Sequence, residues 1–403
     1  MMSSSLPSVE HSPLICGMGL ASGLGIGVMA HREAMLRGDR VSKPLGELWG
    51  YDHSWSHLYG AWIPDRRLFE NRHQGPASSL SLVLARQAIA EAGWGVSELH
   101  DAALVVGSSR GNAAGWLDDW PHRRRVKLLS VPQSLHSELA SCVSLELGIH
   151  GPYHVVSNGC ASGLDALGFA WMLLQCGMVK RVLAIGVDLP LSPSLLDTYH
   201  GSRMLSPSGK NNPYHPEADG MIIAEGGAAL ALEMAGERQL PWLNVPRLLD
   251  YRSNSDAHSP LSMPPSGHYM SELLSSALTA TCEVMQGEEL PVTLCPHASG
   301  TRGNALSESA ALTRAFQNRA LPDFRLMKPW VGHAIGGSGI LELALMLIFA
   351  RDGMLPPNLP SLSPPVLDGQ LSESVDRAGK RLLIKSASSM GGHNAVVSIG
   401  IGM

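Results

Sequence analysis

A single cysteine stands in a run of small residues, VVSNGCASG, at 155–163. The pattern predicts a strand that leads through a sharp turn into a helix, with Cys160 close to the helix N-terminus. Free backbone amides and the helix dipole lower the pKa of a thiol there, and small neighbours let a substrate carbonyl approach. Cys160 is therefore a candidate nucleophile. The alternative is an inert, buried cysteine, which is the usual state of a free thiol in cytosolic proteins.

The elements that must position this cysteine alternate along the chain, as in α/β folds. In the first part, periodicity predicts helices and strands in turn, at 78–92, 102–106, 134–147, 153–156 and 181–187. The second part repeats the plan less regularly, with predicted elements at 243–251, 271–285, 292–294, 382–385 and 395–399. We therefore predict two similar halves, 1–236 with the cysteine turn and 237–403 with the later glycine-rich segments.

Composition excludes several classes of function. The net charge of −5 and the pI near 6.4 give no overall attraction to nucleic acid or to an acidic membrane surface. The six cysteines contain no CxxC pair, so neither a disulfide framework nor a metal site is indicated. The chain lacks a secretory signal pattern and any run of about 18 apolar residues that would span a membrane. We expect a cytoplasmic protein.

Five segments together resemble the β-ketoacyl-acyl-carrier-protein synthase family. SNGCASG is similar to the nucleophile segment of that family, TACSSS or TACTSG. In the family's order follow PYHPEADGMIIAEGGAALALE, LMKPWVGHAIGGSGILELA and SASSMGGHNA, and the opening LICGMGLASGLG fits the first strand. The resemblance spans nearly the whole chain. It implies a duplicated thiolase fold of five layers, α-β-α-β-α, an obligate dimer and no cofactor beyond the phosphopantetheine arm of an acyl carrier protein.

The resemblance also implies roles for single residues. Cys160 would accept the acyl group, and His333, five residues after Lys328, would donate a hydrogen bond to the thioester oxygen. A core histidine bonded to backbone is the alternative for His333. Residues matching the family near the site are Glu342 and Asn394, and the gate and oxyanion segment is Met390, Gly391 and Gly392. Met390 replaces the aromatic gate residue, and its thioether side chain is more flexible than a phenyl ring.

The second catalytic histidine of the family lies in N-A-H-G-T-x-T, whereas this chain has CPHASGT at 295–301. An ungapped alignment puts Ser299 at the histidine position and His297 at the asparagine position. A serine hydroxyl donates one neutral hydrogen bond but takes up no proton at neutral pH, so enolate stabilisation would weaken. His297 would replace the missing histidine only if the loop is remodelled; otherwise it is a structural residue.

Two functional hypotheses follow from this departure. Under the first, the chain resembles a chain-length factor, a partner that shapes the acyl tunnel of a competent ketosynthase in a heterodimer of type II polyketide or fatty-acid synthesis. In keeping its cysteine, it is similar to the second subunit of aryl-polyene systems. Under the second, it is an autonomous synthase that performs decarboxylative Claisen condensation with Cys160, Lys328 and His333. Decarboxylation of malonyl thioesters without condensation is a third option with no specific support.

The acyl carrier protein has an acidic surface, which would require cations on this chain. The densest basic run is Arg123, Arg124, Arg125 and Lys127. It is a candidate docking site, and a solvated charged face or a dimer-contact loop is the alternative.

Overall fold

Two copies of one strand arrangement make up most of the molecule. The computed structural model describes residues 9–69, 73–113, 135–236, 242 and 244–403. Its strands are β1 Leu14–Ser22, β2 Gly25–Ile26, β3 Lys43–Pro44, β4 Tyr59–Ala61, β5 Ala103–Gly107, β6 Tyr153–Val156, β7 Arg181–Asp188, β8 Ile223–Ala224, β9 Gly226–Glu233, β10 Arg247–Ser255, β11 Val292–Cys295, β12 Asp323–Phe324, β13 Met354–Leu355, β14 Asp376–Arg377, β15 Arg381–Ser388 and β16 His393–Ile401.

Helices occupy the connections between these strands. They are α1 Val28–Arg37, α2 Gly46–Trp49, α3 Pro76–Ala92, α4 Val96–His100, α5 Glu138–Leu147, α6 Ser162–Gln175, α7 Pro193–Gly201, α8 His268–Val284, α9 Arg302–Ala315, α10 Lys328–Val331 and α11 Ser338–Ala350. Proline in the first turn of α3 and a left-handed glycine, Gly93, after its last residue mark the ends of that helix.

The strand order shows an internal duplication. One half has the order β1-β9-β7-β5-β6, and the other has β10-β16-β15-β11-β12. In both orders the first two pairings are antiparallel and the last two are parallel. A pairing of Leu14 with Arg247 joins the two halves into one mixed sheet. The duplicated α/β fold predicted from the sequence is thus confirmed. The predicted boundary itself falls at 237, which lies outside the described residues.

The described residues form four apolar cores, three of which lie between the five layers. The central core is formed by the inner faces of the strands of both halves and by α6 and α11. One outer core packs α3 and α5 on the first half, and another packs α8 and α9 on the second. Alternate residues of a strand face opposite layers, so Ala103 and Val105 join the central core while Leu104 and Val106 join an outer one.

The position of α11 in the central layer explains why it is the most apolar of the described helices. Every residue of α11, SGILELALMLIFA, is buried, because the helix lies in the central layer. A helix that is apolar on all sides is typical either of such a core position or of a membrane span. None of the helices within the described residues is both long and apolar enough to cross a membrane.

Candidate active site

Cys160 lies at the turn that the sequence predicts. Strand β6 ends at Val156, a 3-10 turn covers Gly159–Ala161, and α6 begins at Ser162. Gly159 has φ 59°, a left-handed conformation that favours glycine. The Ser162 hydroxyl donates to the carbonyl oxygen of Gly159 (2.6 Å) and accepts from the backbone N–H of Asn158 (2.9 Å). These contacts hold Cys160 at the start of the central helix.

A cavity of about 590 Å³ contains the half-buried Cys160. Its lining comes from both halves of the fold, with the cysteine turn and α7 on one side and the segments after β11 and β15 on the other. The sequence-predicted residues found in this lining are Cys160, His297, Ser299, His333 and Met390. Lys328 and Glu342 lie behind it, fully buried.

Three of these side chains come together. Ligand-type atoms of Cys160, His297 and His333 all lie within 4.8 Å of one another. The imidazole rings of His297 and His333 meet edge to face, with centroids 5.2 Å apart. One thiol and two imidazoles are also a donor set that Zn²⁺ accepts, although the sequence predicts no metal site. The geometry is that of a cysteine flanked by two histidines.

The ungapped alignment puts Ser299 in the place of the second histidine, and the structure has both His297 and Ser299 in the cavity lining. The hydroxyl of Ser299 lies 3.0 Å from that of Thr301, and its backbone N–H donates to Asn304 Oδ1 (2.9 Å). The backbone of this loop is left-handed at Ala298 and at Gly300, with φ 49° and 87°.

Two buried groups hold His297 against the cavity. Glu308 on α9 accepts from the backbone N–H of His297 (2.6 Å) and from that of Ala298 (2.8 Å), and the Tyr214 hydroxyl donates to the same carboxylate (2.7 Å). The Lys328 ammonium donates to the carbonyl oxygen of His297. This backbone is therefore fixed at both its donor and its acceptor, which leaves the imidazole to face Cys160 and His333.

His333 is fixed through its backbone and one ring nitrogen. Its N–H donates to the carbonyl oxygen of Ile222 (2.7 Å), and its own carbonyl accepts from Ala224 (2.9 Å). Nδ1 lies 2.9 Å from the Ser338 hydroxyl at the start of α11. This contact leaves Nε2 as the ring nitrogen available to the cavity. Burial, reinforced by the Lys328 cation, lowers the pKa of both His297 and His333 well below the usual range. Both rings are neutral at pH 7.

A buried lysine that the sequence analysis missed completes the charges behind the site. Glu342 accepts from Lys328 (2.6 Å) and also pairs with Lys385 (2.9 Å). Lys385 further donates to the carbonyl oxygens of Pro296 and Ser386, each at 2.9 Å. All three charged side chains are at most 1% exposed. The sequence signal for Lys385 was its place in a predicted strand, directly after the apolar residues LLI.

Asp188 is a second missed residue, and it ties the segment after β5 to the turn before α11 in the later half. Its carboxylate accepts from Ser108 Oγ (2.7 Å) and from the backbone N–H groups of Ser109 (2.8 Å), Arg110 (2.9 Å) and Gly336 (2.7 Å). The sequence signal for Asp188 was its place as an acidic residue at the end of the apolar strand RVLAIGVD.

The surroundings of the Cys160 thiol favour its protonated form. Burial raises its pKa to about 11, and the cations Lys328 and Arg110 oppose this shift only in part. The backbone N–H of Cys160 is also occupied, since it donates to the Ser389 hydroxyl (3.1 Å). Ser389 in turn donates to the carbonyl oxygen of Met390 (3.0 Å).

The predicted gate segment follows β15. Met390 is 36% exposed and lines the cavity, while Gly391 and Gly392 have φ 88° and 85°. Asn394 donates to Asp256 (2.8 Å) and to Asn254 (3.2 Å), a structural contact close to the gate. The predicted docking residues Arg123, Arg124, Arg125 and Lys127 lie outside the described residues.

His393, at a position where the resemblance predicts threonine, contacts α6, the helix that follows Cys160. Its Nε2 lies 2.8 Å from Asp165, and this contact raises the pKa of His393. Asn158, two residues before Cys160, donates to the same carboxylate (2.6 Å). His393 thus joins the strand after the gate to the cysteine turn.

A duplicated fold with a cysteine and two histidines between its halves defines the thiolase-like class of acyl-transfer proteins. The family model described as "Beta-ketoacyl synthase, N-terminal domain" matches residues 15–237, and that described as "Beta-ketoacyl synthase, C-terminal domain" matches residues 246–361. The chain belongs to the β-ketoacyl synthase family.

Individual relatives agree with this assignment. The chain is 29% identical over 309 residues, 70% of each chain, to the tetracenomycin polyketide synthase ketoacyl synthase alpha subunit of Streptomyces glaucescens. It is 25% identical over 359 residues, 85% of each chain, to 3-oxoacyl-[acyl-carrier-protein] synthase 2 of Mycobacterium tuberculosis. Among solved structures, the ishigamide ketosynthase/chain length factor shares the fold, with a TM-score of 0.80, 20% identity, and 97% of this chain and 99% of that chain covered.

Proposed function

We propose that the protein is a condensing β-ketoacyl synthase of polyketide or fatty-acid chain elongation, which takes its acyl groups from the phosphopantetheine arm of an acyl carrier protein. The single observation that supports this most is the approach of Cys160, His297 and His333 to within 4.8 Å at one cavity. It supports this function over the sequence-based hypothesis of a damaged catalytic set, which depended on Ser299.

In the first step the sulfur of Cys160 attacks the carrier thioester. A bond forms between Sγ and the acyl carbon, the bond from that carbon to the pantetheine sulfur breaks, and the cysteine proton passes to the departing thiolate. Because the pKa of Cys160 is about 11, the thiol must lose its proton as it attacks. A neutral imidazole within 4.8 Å is suited to receive that proton and return it.

In the second step a malonyl thioester loses its carboxylate as CO₂, and the electrons of the broken bond form an enolate. The enolate carbon attacks the acyl carbon on Cys160, and the bond to Sγ breaks. Neutral His297 and His333 are suited to donate hydrogen bonds to the enolate oxygen, because a lowered pKa keeps each ring in its donor form without a charge. The Lys328 cation behind His297 favours the developing negative charge.

A second candidate function, a chain-length-factor-like partner in a heterodimer with a competent ketosynthase, is favoured by one observation. The Ser389 hydroxyl occupies the Cys160 N–H, the group that would bind the oxyanion of an acyl intermediate. The aromatic gate residue is also replaced by Met390. The finer likeness to aryl-polyene systems is part of this second proposal.

One experiment separates the two functions. The chain expressed alone, in the cytoplasm of a bacterial host, is incubated with hexanoyl and malonyl carrier proteins, and Cys160 is examined by mass spectrometry while the 3-oxo product is measured. Acylated Cys160 and product formation, both lost in Cys160→Ala, support the synthase. An adduct without product, followed by product when an intact ketosynthase is added, supports the partner function. The absence of any adduct would contradict the synthase.

A further inference from the structure

An arginine lines the cavity on the side of the first half. Arg110 follows β5, and its backbone is fixed by the hydrogen bond from its N–H to Asp188 (2.9 Å). Its guanidinium lies over the ring of Tyr199 on α7, 5.7 Å from the ring centroid, and Nη2 donates to the Tyr199 hydroxyl (3.3 Å). These contacts aim a half-buried cation into the space that holds Cys160.

Most donors of this guanidinium are unused by the described residues. A guanidinium has five N–H donors, and the bond to Tyr199 is the one side-chain hydrogen bond found for Arg110 in the described part of the chain. Nε is inaccessible to solvent and has no hydrogen-bond partner there. The Asp188 carboxylate, whose charge acts on Arg110, already accepts four hydrogen bonds, one of them from the backbone N–H of Arg110 and none from its guanidinium.

The cavity offers no acid to balance this charge. Among the described residues that line it, there are two arginines, Arg110 and Arg203, and neither aspartate nor glutamate. Apolar side chains such as Met204, Met221 and Ile335 line it as well. A cation with unused donors beside an apolar wall is unfavourable unless a ligand supplies the missing acceptors. A plain alkyl chain supplies none.

We propose that the acyl group brought to Cys160 carries a further oxygen acceptor beyond its thioester, a carboxylate or a keto oxygen, and that Arg110 binds it. The inference rests on the proposed function, because that function places the acyl group in this cavity. It makes Arg110 a specificity-determining residue that selects oxygen-bearing acyl groups over alkyl chains.

The test compares three acyl groups of equal length: hexanoyl, 3-oxohexanoyl and adipoyl. Each is attached to phosphopantetheine through a stable amide, and its affinity for the full chain is measured by calorimetry. At least one oxygen-bearing analogue should bind about tenfold or more tightly than hexanoyl, and Arg110→Met should abolish that preference. Arg32→Met is the matched control, because Arg32 also lies over an aromatic ring, Phe349, but outside the cavity lining.

Several outcomes would overturn the inference. Equal affinity of the wild type for all three analogues would do so, as would the same loss of affinity for all three in Arg110→Met, since a general electrostatic role would then suffice. Arg110→Gln gives a second variant of similar size should the methionine variant fail to fold. Because binding of the amides needs no reaction at Cys160, the absence of a Cys160 adduct would contradict the proposed synthase without deciding this comparison.

Discussion

Removal of the Ser389 hydroxyl should speed acylation of Cys160. The hydroxyl accepts the Cys160 N–H at 3.1 Å, so an incoming thioester oxygen must displace it before that N–H can bind the oxyanion. A protein hydrogen bond of this kind contributes about 0.5 to 1.5 kcal/mol net. If that contact is lost only on the way to the transition state, its prior removal in Ser389→Ala lowers the barrier by about 1 kcal/mol, which corresponds to about a fivefold faster step.

The assay is single-turnover acylation of Cys160 by an acyl carrier thioester, stopped with acid and followed by intact-protein mass spectrometry. Ser388→Ala is the matched control, because Ser388 adjoins Ser389 and lines the same cavity but has no described contact with the Cys160 N–H. Its rate should stay within about twofold of the wild type. Slower acylation in Ser389→Ala would refute the reasoning, since the hydroxyl would then assist the oxyanion rather than compete with it.

Three further outcomes test the site. His297→Ala should lower the condensation rate constant by about 10²- to 10³-fold, as loss of an oxyanion donor does, whereas Ser299→Ala should cost less than about fivefold; equal losses would contradict the proposed role of His297. Lys385→Met should lower the free energy of unfolding in urea by about 3 kcal/mol, because it leaves a buried carboxylate with one ammonium fewer; the exposed ion pair of Lys380 gives a control variant, Lys380→Met, that should cost under about 1 kcal/mol. Alkylation of Cys160 by iodoacetamide should rise about tenfold per pH unit from about pH 7 to about pH 10, because a pKa of about 11 makes the thiolate fraction grow throughout that range. A rate that levels off below about pH 10 would contradict the raised pKa, since an ordinary thiol of pKa about 8.5 is almost fully ionised there.

The fold could be predicted from sequence because its signals are local. Apolar runs bounded by glycine mark the strands, and a helix such as 78–92 differs by only a few residues from the observed Pro76–Ala92. The strand predicted at 243–251 is observed at Arg247–Ser255 instead. Its polar C-terminal end, Ser253–Ser255, is a strand because β16 pairs with its backbone, which no local pattern shows.

The site was predictable where a motif fixes the spacing and unpredictable where the contact is long-range. Cys160 and His333 stand in segments with regular spacing, and both lie where the motifs indicate. Whether His297 or Ser299 stands for the second histidine could not be read from the motif, because the alignment there depends on the loop conformation, with Ala298 in left-handed backbone and Glu308 bound to two successive amides. Lys385 was missed because its partner Glu342 lies 43 positions away in sequence.

Burial keeps the reacting groups neutral at rest, and the buried charges behind them modify this effect. Lys328 and Lys385 face two carboxylates, Glu342 and Glu308, so the nearby lysines are balanced and the region behind the cavity has no formal net charge. Lys328 nevertheless lies nearest to His297, whose carbonyl oxygen it binds, and its cation disfavours protonation of that ring.

The Lys328 cation disfavours protonation of the histidines, but it stabilises an anion. Lys328 lowers the pKa of Cys160, although burial outweighs it, so it stabilises a thiolate or an enolate as soon as one forms. A site with neutral donors and a fixed positive field favours charge that develops during the reaction rather than charge present beforehand. The protonated resting thiol is therefore compatible with a competent synthase, provided that the bound thioester displaces the Ser389 hydroxyl from the Cys160 N–H.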